Sequence, residues 1–443
     1  MEHLSSNKIA IIDLGSSEII EETLSEDLVK EKIGGAGITS FLYRKYEKDD
    51  PIVIGSGLLT GTLVPGSALA VMTAKSPRTG TCCHAPLTMY AGMELKFSGF
   101  DYLVIKGVSE KPVYLWLHDG IADIQGADDL WGKDVWEATE SVRKTVGDDL
   151  VQVLAIGTAG ETGSDLAQVS INYWASGDCW GFGKLLGKKR LKLIAIRGMG
   201  LLEIADPEGF ISQCQELLNQ IKGGTWAGKK GIGQIMTALG EEDMETWLAP
   251  IVHRHKSCFN TPYATNTFVF LDEDPKLMKE PERADPGVLL SGIEGLLGLK
   301  RCGLSALESA RILKECAKMG LDGAAVSALC LKAGRTNFEE IKKFLPEADG
   351  PLDTPAKGPF SPWAPGKPLF ADFGLPADGS QDVSWWSRRQ AVAYLFGIHP
   401  VFALMAPELS EEKLLELANL GTDLGLTSET VEQVIKEISN PSL

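Results

Sequence analysis

Residues Gly92–Gly107 read GMELKFSGFDYLVIKG, and this stretch decides the fold. Its first half reads as a helical turn, Gly99 breaks the turn, and Tyr102–Lys106 is an apolar run closed by Gly107 that reads as a strand. Moving outward, the same grammar repeats. KIAIIDL, PIVIGSG, ALAVMTA, VYLWLHDG, VQVLAIG and LKLIAIRG are each short apolar runs ended by a turn residue. One helix pattern, GKDVWEATESVRKTVGDD, lies among them. Residues 1–203 therefore read as a sheet-dominated α+β domain.

After Gly200 the texture changes to helices with written start signals. Asp206-Pro207 opens EGFISQCQELLNQIKGG with an N-cap and a proline at the first helical position. Ser305–Glu308 (SALE) and Thr336–Glu339 (TNFE) read as capping boxes, and Ser410 and Thr427 or Ser428 open two further helices. Residues 204–345 form a helical domain in this reading and 384–443 a set of C-terminal helices. Between them, residues 346–383 hold eight prolines and no periodicity, so they read as a linker or an arm. Phe360, Trp363, Phe370 and Phe373 suit an arm lying on a surface.

The 443 residues carry a formal net charge of −17, which argues against nucleic acid and anionic membrane surfaces as partners. The eight cysteines form no CxxC pair, so no zinc ribbon or thioredoxin-type site is written locally. The N-terminus lacks a signal-peptide pattern, and AVAYLFGIHPVFALMAP is interrupted by Gly397, His399 and Pro400, so no membrane span is expected. A reducing, cytoplasmic location with free thiols is the expectation.

GSGLLTGTLVPGS, KSPRTGT, GMELKFSGFDYLVIKG, DLWGKD, AIGTAGE and GFGKLLGKKRLKLIAIRG occur in this order. Together they resemble the aldehyde:ferredoxin oxidoreductase family of tungsten enzymes, and the likeness continues thinly through KECAKMGLDGAA and LFGIHPVF. The resemblance implies a two-sheet N-terminal domain beneath a bis-pterin tungsten cofactor (tungstopterin, or molybdopterin in a variant), followed here by a shortened all-helical region. It also implies aldehyde oxidation, with electrons leaving through a four-iron cluster.

Several positions depart from the family pattern. The cluster's Cys-x-x-Cys-x-x-x-Cys becomes HKSCFNTPYAT, where only Cys258 stands and Thr261 and Thr265 replace two thiolates. The distant cysteine falls on His399, so loss of the four-iron cluster is expected. Arginines that serve the cofactor fall on Leu69, Cys179 and Ala36, and a magnesium-binding asparagine falls on Pro86. In the first pterin motif Asp322 remains but the earlier acid is Ala317; in the second the acid's place is near Tyr394. The catalytic glutamate would fall near Pro286. Asn172, Gly181, Gly183, Lys184, Gly187, Lys188 and Asp322 are the candidate cofactor-binding residues, the lysines belonging to a basic cluster over 184–190 that suits a phosphate or a solvated loop.

Two soft-ligand groups stand out. Cys82-Cys83-His84 lies in a loop by this reading, and its alternation places Cys82 and His84 on one face, too few for a closed zinc site. In the family frame the three line the floor of a former cofactor pocket. Cys258 and His399 occupy two former cluster positions, so they lie together, and with His255 they would make a mononuclear metal site. The resulting expectation is a divergent family member, a non-catalytic or altered-cofactor subunit of a redox complex. It forms a homo-oligomer or pairs with a redox protein or a full-length paralogue. The alternatives are a tungstopterin-dependent oxidoreductase acting on aldehyde or oxo groups, and a mononuclear metal-binding protein.

Overall fold

A computed structural model of the chain describes residues 3–175, 177–224, 226–238, 243–271, 287–351, 358–360 and 382–440. Trp363, Phe370, Phe373 and Pro286 lie outside the described residues. Two six-stranded sheets organise the N-terminal half. The first holds β1 (Lys8–Asp13), β2 (Glu18–Thr23), β3 (Ile52–Ser56), β4 (Ala70–Lys75), β5 (Cys82–Leu87) and β6 (Tyr102–Lys106) in the order β2-β1-β6-β3-β4-β5. The second holds β7 (Val113–His118), β8 (Ile121–Gly126), β9 (Gln152–Ala155), β10 (Ser170–Ile171), β11 (Trp174–Ala175) and β12 (Leu191–Arg197) in the order β11-β10-β9-β12-β7-β8.

The opening stretch behaves as its sequence suggests. Ala91–Phe97 is a helix, Gly99 sits at φ +95, and Tyr102–Lys106 is the β6 strand, paired parallel to β1 and antiparallel to β3. Central strands β3 and β6 read as unbroken apolar runs because both faces are covered. β2 carries Glu18, Glu21 and Glu22 because it is an exposed edge.

Beyond residue 203 the chain is mostly helical. The expected caps at Asp206, Ser305, Ser410 and Thr427 are all formed, and Ser305 and Glu308 close a capping box. The TNFE cap shifts by one residue, because the Asn337 side chain, not Thr336, accepts the Glu340 N–H. The region also contains a small antiparallel sheet, with β13 (Val252–Lys256), β14 (Asn266–Phe270) and β15 (Gly287–Leu290) in that order. Near-alternating burial along β13 and its charged residues hid it from an apolar-run search.

The Asp382–Phe396 helix docks on the first sheet domain through a glycine contact. Gly35, in the GGAG segment, has φ +44, and a Cβ there would lie 1.8 Å from the Tyr394 carbonyl oxygen. No larger side chain fits so close an approach. Tyr394 is thereby fixed over the site described next.

Candidate functional site: a carboxylate-lined cavity

A cavity of about 230 Å³ lies where the two sheets meet the helical cover. The end of β5 and its following turn supply Pro86, Thr88 and Met89, and the segment before the Phe182–Lys188 helix supplies Gly177, Asp178 and Cys179. β15 and the start of the Ile293–Arg301 helix supply the apolar floor and Glu294; the Asp382–Phe396 helix adds Trp386, Gln390 and Tyr394. Six positions read separately from the sequence, Pro86, Cys179, Ala317, Asp322, Tyr394 and His399, thus face one space.

Its electrostatics are acidic. Asp178 is pushed up to about 6 by burial, although three backbone N–H groups donate to it: Trp180 to Oδ1 at 2.9 Å, Val169 and Phe182 to Oδ2 at 3.0 Å each. Asp322 caps the Gly323–Lys332 helix, accepting the Ala324 and Ala325 N–H groups, and its Oδ2 takes Arg78 Nη1 at 3.0 Å. Burial, then the Asp322 charge, raises the Glu294 carboxyl to about 7. No lysine or arginine is among the described lining residues. The Arg78 guanidinium is committed to Asp322 and to the carbonyls of Asp165 and Cys179. Losing Arg78 alone would leave a buried carboxylate unpaired, at a cost of roughly 3–5 kcal/mol.

At one edge of this space Cys258 and His399 meet. Cys258 is 5% exposed, and burial by itself would raise its thiol. The His399 imidazole outweighs that, together with the Asn266 side chain (Nδ2 to Sγ, 3.3 Å) and the Met89 N–H, and holds the thiol near 7. His399 is the N-cap of the Pro400–Met405 helix, its Nδ1 accepting the Phe402 N–H at 3.4 Å, which leaves Nε2–H to face the sulfur. Thr261 and Thr265 also turn inward on Cys258. Thr261 Oγ1 donates to the Cys258 carbonyl at 2.9 Å and Thr265 Oγ1 to Sγ at 4.0 Å. Of these, the Thr265 hydroxyl and the Asn266 amide are aimed at the sulfur itself, and Thr261 holds the backbone beside it.

His255 does not join the pair. Its Nδ1 pairs with Thr267 Oγ1 at 3.1 Å beside Gly231, and among the described residues no three His, Cys, Asp or Glu side chains converge as a metal would need. His253 stacks on Phe270. The three-ligand expectation is therefore not assembled from these residues.

Of the seven expected cofactor-binding residues, only Asp322 lines the cavity. Asn172 is a structural hub, its Oδ1 accepting Arg143 Nη2 and the Val153 N–H and its Nδ2 donating to Gln152. Gly183 and Gly187 let the Phe182–Lys188 helix pack, since Cβ atoms there would lie 2.6 Å from the Gln168 carbonyl oxygen and 2.0 Å from that of Gly160. Gly181 is that helix's N-cap at φ +79. Lys184 pairs with Asp165 at 2.6 Å, and Lys188 is exposed. The segment read as a loop before a strand is a seven-residue helix, which turns its lysines away from the cavity.

The Cys82-Cys83-His84 reading is corrected as well. These residues open strand β5 rather than a loop, and none lines the cavity, which begins at Pro86. His84 is bonded to Thr73 and to the Ile438 carbonyl, and burial lowers it to about 4. Sequence reasoning passed over Arg78, Asp178 and Glu294. Arg78 stood inside the quoted motif KSPRTGT and Asp178 three residues before GFGKLLGKKRLKLIAIRG, while Glu294 carried no local signal.

The architecture is thus a two-sheet base under a helical cover, with a cavity at their junction. Residues 9–198 match the family described as "Aldehyde ferredoxin oxidoreductase, N-terminal domain", a match that takes in both six-stranded sheets. It is 32% identical over 286 residues to the "Tungsten-containing aldehyde ferredoxin oxidoreductase" of Pyrococcus abyssi, covering 58% of this chain and 47% of that protein. It is 27% identical over 259 residues to the "Aliphatic sulfonate oxidoreductase, WOR-like subunit" of Pyrococcus furiosus, covering 52% and 41%. The chain thus spans about half the length of the curated relatives it matches. The fold also matches a chain of "Active site complex BamBC of Benzoyl Coenzyme A reductase in complex with 1,5 Dienoyl-CoA". There the TM-score is 0.66 at 20% identity, covering 79% of this chain and 61% of that one. No described helix is long and apolar enough to cross a membrane.

Proposed function

We propose that this chain works without a bis-pterin tungsten centre, as a non-catalytic or altered-cofactor subunit of a redox complex. The carrying observation is the charge of the cavity, where Asp178, Glu294 and Asp322 line the wall and no described lysine or arginine does. The phosphates of a pterin cofactor need guanidinium or ammonium partners in a site of low dielectric. Placed here they would meet carboxylates instead, so the residues present do not fit that group. The donor set around Cys258 likewise offers one thiolate where a four-iron cluster needs several. Membership in a complex is supported by the relatives, one titled a subunit and one structure titled a complex. A redox protein, a full-length paralogue or a second copy of this chain would be the partner, in the cytoplasm.

Two other readings have an observation each. Identity of 32% to a tungsten-containing enzyme favours a working oxidoreductase on aldehyde or oxo groups. The Cys258–His399 contact favours a mononuclear soft-metal protein. Metal and pterin analysis of anaerobically purified protein, beside a tungsten-filled relative from the same host, separates the three. The expected result is no tungsten, molybdenum or pterin. About one tungsten or molybdenum per chain with bound pterin would overturn the proposal. Bound zinc or iron that disappears in Cys258→Ala would establish the metal-binding reading.

A further inference from the structure

We infer that the cavity is a binding site for a small flat organic cation that carries N–H donors, of the arylamidine or aromatic amine class. The inference rests on the reading that the bis-pterin does not occupy this space. Two polar side chains face the cavity with nothing to bond. The Tyr394 hydroxyl is fully buried (0% exposed) and has no hydrogen-bond partner among the described residues. The Glu294 carboxyl forms no hydrogen bond or ion pair with another described residue. Buried polar atoms are nearly always satisfied, so the Tyr394 hydroxyl is a group that awaits a ligand, and the half-buried Glu294 carboxyl beside it on the wall is open to the same molecule. The carboxyl can accept from an N–H donor and the phenol can bond a second polar atom of the same molecule.

The charge selects the sign of the ligand. Asp178 and Asp322 are fixed in place by backbone N–H groups and add their negative field to that of Glu294. Arg78 offsets only part of it, from behind Asp322. A cation entering here gains against that field, whereas an anion loses. Among the described lining residues His399 is the one side chain able to carry positive charge, and it is turned to Cys258. The rival is an anion that reaches Arg78 Nη2, which is buried without a partner.

Shape and surface select the ligand's body. An apolar cavity of about 150 Å³ admits benzene, so about 230 Å³ holds a single ring with a polar head. Leu289, Leu313 and the Trp386 ring line it, and an aromatic face suits a flat cation.

The test is calorimetric titration of the full chain with benzamidine, benzamide and benzoate, on protein first assayed for tungsten, molybdenum and pterin. Benzamidine is expected to bind saturably, benzamide at least about tenfold more weakly, and benzoate not at all. Glu294→Gln should weaken benzamidine by about tenfold or more and Tyr394→Phe by a few-fold, as follows from losing a charged and a neutral hydrogen bond. If Glu294→Gln does not fold, the three-ligand series on the unaltered chain still decides. Benzoate binding as tightly as benzamidine, or no saturable benzamidine binding to metal-free protein, overturns this inference and leaves the preceding proposal standing. Tungsten and pterin in the purified protein overturn both.

Discussion

The molecule contains two cysteine–histidine neighbourhoods built from the same residue types. In β5, Cys83 and His84 are both inside the core, at 0% and 1% exposure. Burial raises the Cys83 thiol, with two threonine hydroxyls only partly opposing it, and lowers the His84 imidazole to about 4. Both groups are neutral and their role is packing. At the cavity edge, Cys258 is also buried, yet its thiol is held near 7. The difference is the number of donors aimed at the sulfur. His399, Asn266, Met89 N–H and Thr265 converge on Cys258, while Cys83 has Thr79 and Thr81 at 3.5 and 3.7 Å. Residue type proposes a chemistry, and the surrounding dipoles decide whether a buried group ionises.

The largest expected effect that tests this contrast is on acid stability at the packing pair. His84 is buried neutral, so between its ordinary value of 6.5 and about 4 the unfolded chain takes up a proton that the folded chain refuses. Its contribution is complete above pH 6.5 and is lost as pH falls toward 4, up to roughly 3 kcal/mol. Asp178 and Glu294, raised to about 6 and about 7, act in the opposite sense, because as pH falls the folded chain takes up their protons at a higher pH than the unfolded chain does. Denaturant unfolding of the native chain and His84→Gln across this range isolates the histidine. The variant should be less stable near neutrality and should lose less on acidification. Parallel pH curves would show that His84 is not held neutral.

At the other pair, His399→Ala should raise the Cys258 thiol and cut its thiolate fraction at neutral pH by about tenfold or more. Ultraviolet thiolate absorbance against pH follows it, with Cys258→Ser locating the signal and Cys83→Ser leaving it in place. An unchanged titration in His399→Ala would erase the distinction between the two neighbourhoods. Asn266→Ala, which removes one donor to the sulfur, should shift the same curve by less, a factor of about five.

Legibility in the sequence followed the range of the interactions. The sheet domain was readable because the strand periodicity and turn residues that make β1, β3, β6 and β12 are local. The caps at Asp206, Ser305, Ser410 and Thr427 were readable for the same reason, since each involves residues three apart or fewer. The meeting of Cys258 and His399 followed from the family frame, and the structure brings them into contact. The glycines of the Phe182–Lys188 helix were visible in the sequence but their packing role was not, because a glycine that permits helix packing and one that admits a phosphate look alike there.

By itself the sequence determined an α+β chain that resembles this family, with an acidic balance and a thinned set of thiolates and arginines, because composition and local pattern carry that information. Only the tertiary structure decided that Asp178, Glu294, Asp322 and Tyr394 share one cavity while Lys184 and Lys188 do not. These residues are up to about two hundred positions apart, and their common environment is set by how the helical cover closes over the sheets, which no local spacing encodes.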